Sequence, residues 1–149
     1  MPIEGVRIVR RDLRDAELVL LLDEALAELK SRYGPGVTSP VLANAQYYAA
    51  IVGDEACGCG ALQDVRPGLV EIKRMYVPSR FRGRGVARAI LMCLEERARA
   101  TGSARLRLQT GTRQAEAISL YVSAGYERSE PWGRYAADPN SLCFSKTLS

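Results

Sequence analysis

Histidine is absent from the 149 residues, and that single absence removes a Ser-His-Asp triad, a Cys-His nucleophile pair and His-ligated zinc. Cysteine is sparse and badly spaced for metal or redox work, because Cys57, Cys59, Cys93 and Cys143 contain no C-x-x-C pair. Such thiols read as small buried hydrophobes in a reducing compartment. No apolar run approaches the roughly 20 residues of a membrane span, and no secretory apolar segment opens the chain, so a soluble, cytoplasmic protein without a membrane partner is expected. A large charge excess is missing too. The formal charge is +4 with 26% charged residues, ordinary for a folded domain, and no Lys/Arg face with interleaved aromatics argues for nucleic acid. What is present is enough apolar content, 47%, to bury the core of one domain spanning 1–149.

The rest of the chain is organised around residues 70–101. A β-prone run, E-I-K-R-M-Y-V, leads through an arginine- and glycine-rich turn into the amphipathic stretch V-A-R-A-I-L-M-C-L-E-E-R-A-R-A. The turn therefore delivers backbone amides to a helix N-terminus, where the unpaired N–H groups and the macrodipole favour an anion. Gly83 and Gly85 permit close approach to the backbone, and Arg80, Arg82, Arg84 and Arg88 surround it with positive charge. Two phosphate loops are excluded. No Lys-Ser or Lys-Thr follows the glycines, as a Walker loop requires, and Arg88 stands where a dinucleotide fingerprint needs a small residue.

Ahead of this stretch, residues 6–9 read as a first strand. A helix capped by Asp12 or Asp15 follows, with Leu18, Leu22, Ala25, Leu26 and Leu29 at helical spacing. It ends near Tyr33, where Gly34-Pro35-Gly36 breaks it, and Ser39-Pro40 is expected to open one further helical turn. Two strands joined at Gly53-Asp54-Glu55 form a hairpin, and Arg66-Pro67-Gly68 turns into the strand carrying Glu71. Gly58 and Gly60 mark a close approach by a neighbouring backbone or ligand. After the central helix and Gly102, A-R-L-R-L-Q-T alternates as a strand that should pair parallel to the Glu71 strand. A last strand at residues 142–148 should run antiparallel to one starting at Gly125 or Tyr126. Between them lies a long loop with Trp132 and Tyr135, expected to wall an acceptor site.

R-x-x-G-x-G, carried by Arg80, Gly83 and Gly85, resembles the coenzyme A pyrophosphate loop of the GNAT N-acetyltransferase superfamily. A second stretch, T-R-Q-A-E-A-I-S-L-Y-V-S-A-G-Y, is similar to that family's N-x-x-A-x-x-L-Y-x-x-x-G-[FY], with Ala117, Leu120, Tyr121, Gly125 and Tyr126 in register and Gln114 where the family often has Asn. The resemblance implies an α/β fold (α+β, mixed sheet) with antiparallel N-terminal strands, a central parallel pair splayed around the cofactor, and flanking helices. It implies acetyl-CoA as acyl donor, with no metal. The phosphates would meet Arg80, Arg82, Gly83, Arg84, Gly85, Val86, Ala87 and Arg88. The pantetheine arm would meet Met75, Tyr76 and Val77 at a bulge, together with Gln114 and Tyr121.

For the reaction, the resemblance implies transfer to a primary amine of a small molecule or peptide in a ternary complex, by a chain that could form a homodimer. An amine with a pKa of about 10.4 is neutral in only about one molecule in 2,500 at pH 7, a deficit of roughly 4.6 kcal/mol. Glu71, four residues before Met75, matches the family's general-base glutamate. Its other reading is an ion pair with Lys73 or Arg74. Tyr121 matches the general-acid tyrosine. A phenol near 10 facing a thiol near 8.5 transfers its proton uphill by about 2 kcal/mol, which favours hydrogen bonding over full transfer. A different acyl donor, a hydroxyl acceptor, or a CoA sensor without turnover are the competing readings.

Overall fold

The computed structural model describes residues 5–148 except 41 and 43. Seven strands form one sheet in the order β1-β2-β3-β4-β5-β7-β6. They are β1 (Arg7–Arg11), β2 (Ala45–Val52), β3 (Glu55–Arg66), β4 (Leu69–Tyr76), β5 (Arg105–Gly111), β6 (Glu127–Arg128) and β7 (Ser141–Thr147). Every pairing is antiparallel except β4 with β5, as a strand, crossover helix and strand dictate. The helices are α1 (Ala16–Tyr33), α2 (Val86–Ala100) and α3 (Ala115–Ser123). Among the described residues no helix is long and apolar enough to cross a membrane.

Each face of the sheet carries its own core. On one face α2 and α3 bury Ile90, Leu91, Leu94 and Tyr121 against Val70, Ile72, Leu106, Leu108 and Phe144. On the other, Leu18 and Leu21 of α1 pack on Tyr47, Ala49, Cys59 and Ala61. Asp15 starts α1 by accepting a hydrogen bond from the Leu18 amide at 2.9 Å, a cap that satisfies one of the orphan donors. Leu21 is buried along with Leu18, while Leu22, Ala25, Leu26 and Leu29 are only half-buried. The buried stripe thus crosses the helix nearer its N-terminus than the leucine spacing alone suggests.

Gly58 and Gly60 serve packing against α2. A Cβ on Gly58 would come within 2.9 Å of Ile90 Cδ1, and one on Gly60 within 2.8 Å of Met75 Sδ, so the absent side chains let the helix sit close to the sheet. A bulge beside Gly58 puts Cys57 on the α2 face and Cys59 on the α1 face. The first strand runs slightly later than expected, at Arg7–Arg11. Residues 37–40 are not helical, and the Pro40 carbonyl accepts from Arg74 Nη2 at 2.6 Å; the turn of helix expected to open at Ser39-Pro40 falls partly outside the described residues. The strand after Gly125 is only Glu127–Arg128, antiparallel to β7 as expected.

Candidate active site

β4 and β5 part company in their middle. Their parallel register runs from Leu69↔Arg105 to Ile72↔Leu108 and stops, although β4 continues to Tyr76 and β5 to Gly111. A bulge accompanies the parting. β3 pairs Ala61 with Lys73 and Cys59 with Tyr76, so two residues of β4 oppose Gly60 alone, and Arg74 takes φ 56°. The β5-facing edge of residues 73–76 is left without a ladder partner among the described residues, while β5 turns its other edge to β7. An unpaired strand edge offers backbone donors and acceptors to an extended ligand.

From that edge the chain runs through Pro78 and a single 3₁₀ turn, Ser79–Phe81, into Gly83 (φ 75°) and Gly85 (φ 81°), the residue that caps α2. Alternating left-handed residues aim successive amides into one concavity. A Cβ at either glycine would meet open space, so the positive φ, and the room it leaves for a ligand, require glycine here. The first intrahelical bond is that of the Ala89 amide to the Gly85 carbonyl at 3.0 Å. The preceding amides of Val86, Ala87 and Arg88 belong to the unpaired first turn.

The four arginines expected around this concavity do different things. Arg82 turns back: its Nη2 donates to both oxygens of Glu28 at 2.7 and 2.8 Å, its Nε donates to the Val77 carbonyl at 2.7 Å, and its guanidinium lies 5.8 Å from the Tyr76 ring centre. Its side chain thus clamps the loop to α1 through Glu28. Arg88 is joined to Ser123 Oγ of α3 at 2.7 Å. Arg80 lies over Phe81 and reaches Glu24 and Glu55 only loosely, at 3.7 and 3.8 Å. Arg84 is exposed beside the glycines.

Met75 packs into the α2 core and Tyr76 into the α1 core, and Val77 is buried. Gln114 precedes α3, and its Oε1 accepts from the Gly111 amide at 2.9 Å, which leaves its amide nitrogen to donate elsewhere. Tyr121 is almost fully buried, edge-on to Tyr126 with ring centres 5.7 Å apart. Burial pushes its phenol well above the ordinary tyrosine range. Tyr126 is raised by burial first and then by Glu95, to which its hydroxyl donates at 2.8 Å. Lys146 Nζ donates to the same carboxylate at 3.0 Å, so this second tyrosine is tied into a structural network.

Glu71 is buried on the α1 face, opposite in alternation to Val70 and Ile72. Its Oε1 accepts from Arg107 Nε and its Oε2 meets Lys73 Nζ, both at 2.8 Å. Of the two expected cationic partners only Lys73 is used, because Arg74 reaches away to Pro40. The sequence reading missed Arg107, although the parallel register sets it directly across from Glu71. It also missed the C-terminal end of α1. There Arg32 pairs with Glu116 at 2.8 Å, and the Tyr33 hydroxyl accepts from the Arg113 amide at 2.9 Å. Together with Glu28 these side chains tie α1 to both sides of the parted strands. Glu24, Glu28 and Arg32 at intervals of four were the available signal.

Two further segments border this face. Leu22 and Leu26 of α1, with Pro40, Tyr47 and Arg74, line a cavity of about 220 Å³. In the later loop, Gln109 Nε2 donates to the Trp132 carbonyl at 2.7 Å and the Arg107 guanidinium stacks 4.5 Å from the Trp132 ring centre. Tyr135 instead is exposed, with the Arg134 guanidinium 5.4 Å from its ring centre.

Residues 11–126 match the model of the Acetyltransferase (GNAT) family. The IAA acetyltransferase of Azospirillum brasilense is 42% identical over 92 residues, covering 61% of this chain and 60%, less than two thirds, of its own length. The uncharacterised N-acetyltransferase YsnE of Bacillus subtilis is 35% identical over 122 residues, 80% of this chain and 76% of that protein. A Klebsiella pneumoniae protein whose name assigns it to the acyl-CoA N-acyltransferases superposes with TM-score 0.83 at 31% identity, covering 97% of this chain and 99% of that one. A Bacillus subtilis acetyltransferase solved in complex with CoA shares the fold, with TM-score 0.72 at 20% identity, over 97% of this chain and all of its own. With a glycine nest at the head of α2, parted parallel strands below it, and a family match over most of its length, the chain belongs to the GNAT family of acetyltransferases.

Proposed function

We propose that this protein transfers an acetyl group from acetyl-CoA to a primary amine by direct attack in a ternary complex. The observation that carries the reading is the free β4 edge at residues 73–76 running into the amide nest of Gly83 and Gly85. An extended amide-bearing arm that ends in a pyrophosphate suits that pair of features, and a nucleotide alone would leave the strand edge unused. The fit is supported by the CoA complex of the Bacillus subtilis neighbour and the N-acetyltransferase name of YsnE.

In this reading the amine nitrogen bonds to the thioester carbon, the C–S bond breaks, and the proton the amine loses ends on the departing sulfur by way of solvent. An amide at the bulge, at Met75 or Val77, polarises the carbonyl. Tyr121 donates a hydrogen bond to the sulfur and keeps its proton, since burial makes the phenol a weaker acid than its ordinary value. Glu71 holds Lys73 and Arg107. Both its oxygens are engaged at 2.8 Å, so in this reading its first role is to anchor the two cations.

Acetyl-CoA and CoA are expected to raise the melting temperature, and ATP and NAD to leave it unchanged. Gly83→Val should abolish the shift, because it strains a positive φ and fills the concavity. Thiol release with a panel of amines then tests turnover. Equal stabilisation by ATP would overturn the donor assignment, and binding of acetyl-CoA with no thiol release would make the chain a CoA sensor instead.

A further inference from the structure

We infer that the acceptor carries a carboxylate beside its amine, and that Arg107 and Lys73, held by Glu71 against Trp132, receive that carboxylate. The inference rests on the acetyl-transfer reading and adds the chemical class of the acceptor. An amine must approach the parted strands from the α1 face, because the other face is filled by the packed core of α2 and α3. On the α1 face, next to the last paired residues of β4 and β5, two cations share one carboxylate. Among the described residues the cluster therefore keeps an uncompensated positive charge. Glu71 is 5% exposed while Lys73 and Arg107 are 28% and 21% exposed, so the carboxylate is inside and the cations form the surface an incoming molecule meets.

Arg107 is also prepared for such a guest. It spends Nε on Glu71 and has its guanidinium carbon over the Trp132 ring, 4.5 Å from the ring centre, while its two terminal nitrogens have no protein partner among the described residues. That planar fork matches a carboxylate bidentately. Gln109, two residues further along the same face of β5, fixes the loop by donating to the Trp132 carbonyl, so the stack is held from both sides. One cation would suffice to neutralise Glu71; the second cation and its aromatic stack are explained by a ligand. The same charge disfavours diamines and lysine-rich peptides as acceptors.

The test compares amino acids with their own carboxamides, and with diamines, in a thiol-release assay at saturating acetyl-CoA. The acids are expected to exceed their carboxamides in kcat/KM by about 10-fold or more, in keeping with hydrogen bonds between charged groups. Arg107→Gln and Lys73→Gln should each bring that ratio toward one. Lys73→Gln guards against misfolding, because it leaves the Arg107 pair and the Trp132 stack in place. A second arm needs no turnover: calorimetric titration of the CoA-bound protein with acetate, succinate and 3-phenylpropionate, against the corresponding carboxamides. Carboxylates should bind the wild type, and bind Lys73→Gln at least several-fold more weakly. Equal rates for acids and carboxamides, or a preference for diamines, overturns the inference while leaving acetyl transfer intact. If no amine releases thiol, acetyl transfer fails, and the titration alone decides the anion site: selective carboxylate binding upholds it and its absence overturns it.

Discussion

Replacing Glu71 by Gln separates an anchoring carboxylate from a proton-accepting one. Gln keeps the shape and one acceptor oxygen, but its NH₂ group must face either Lys73 or Arg107, donor against donor. One of two 2.8 Å contacts is lost outright, and both cations lose their counter-charge. A hydrogen bond to a charged group contributes about 1.5–3 kcal/mol, and breaking a buried pair costs about 3–5 kcal/mol. Lys73 and Arg107 are 28% and 21% exposed, so water takes over part of their solvation and the loss should be about 2–4 kcal/mol. For a domain of this size that lowers Tm by roughly 5–15 °C. The assay is scanning calorimetry at pH 7, paired with kcat from pH 6 to about 10 at saturating acetyl-CoA. An anchor predicts a lower Tm and a pH–rate profile of unchanged shape. The refuting result is an unchanged Tm with the rate lost near neutrality and recovered as the amine deprotonates unaided.

Tyr121→Phe keeps the ring and its packing, so stabilisation by CoA should persist while turnover falls roughly 10- to 1,000-fold; unchanged turnover with chemistry limiting would remove the hydroxyl from the mechanism. Because the folded phenol is raised by burial, its contribution to stability is fully present below its unfolded value of about 10 and is lost as pH rises beyond it. Alkaline unfolding of the wild type should therefore begin above about pH 10 and be blunted in Tyr121→Phe, as circular dichroism can check. Glu28→Gln loosens the Arg82 clamp and should raise KM for acetyl-CoA roughly 10-fold with little change in kcat; initial rates across acetyl-CoA concentrations decide it, and a fall in kcat at unchanged KM would speak against loop positioning.

The elements that were legible in the sequence are those set by local chemistry. The β2–β3–β4 meander follows from alternation interrupted at Gly53-Asp54 and Pro67-Gly68, and the start of α2 from the glycines before Val86. Parallel pairing of β5 followed from the crossover helix. Elements that depend on distant partners were not legible. Whether Arg82 faces a phosphate or Glu28, 54 positions away, is decided by where α1 lies on the sheet.

Glu71 shows how such a long-range contact arises from readable parts. In V-E-I-K and in R-L-R-L-Q the apolar residues Val70, Ile72, Leu106 and Leu108 all enter the α2 core, so Glu71, Lys73, Arg107 and Gln109 must share the opposite face. What the pattern lacks is register, and a slip of one residue would have put a leucine in place of Arg107 as Glu71's counterpart. Register is fixed at the strand starts, where the Ala104 and Arg105 amides both donate to the Gly68 carbonyl at 2.9 and 3.0 Å. From there the pairing reaches Ile72↔Leu108 and ends, because the bulge at Arg74 bends β4 away. The Glu71–Arg107 ion pair is thus the last side-chain tie on the α1 face before the strands part. The same register that parts the strands places the ion-paired Lys73 and Arg107 beside the point of parting.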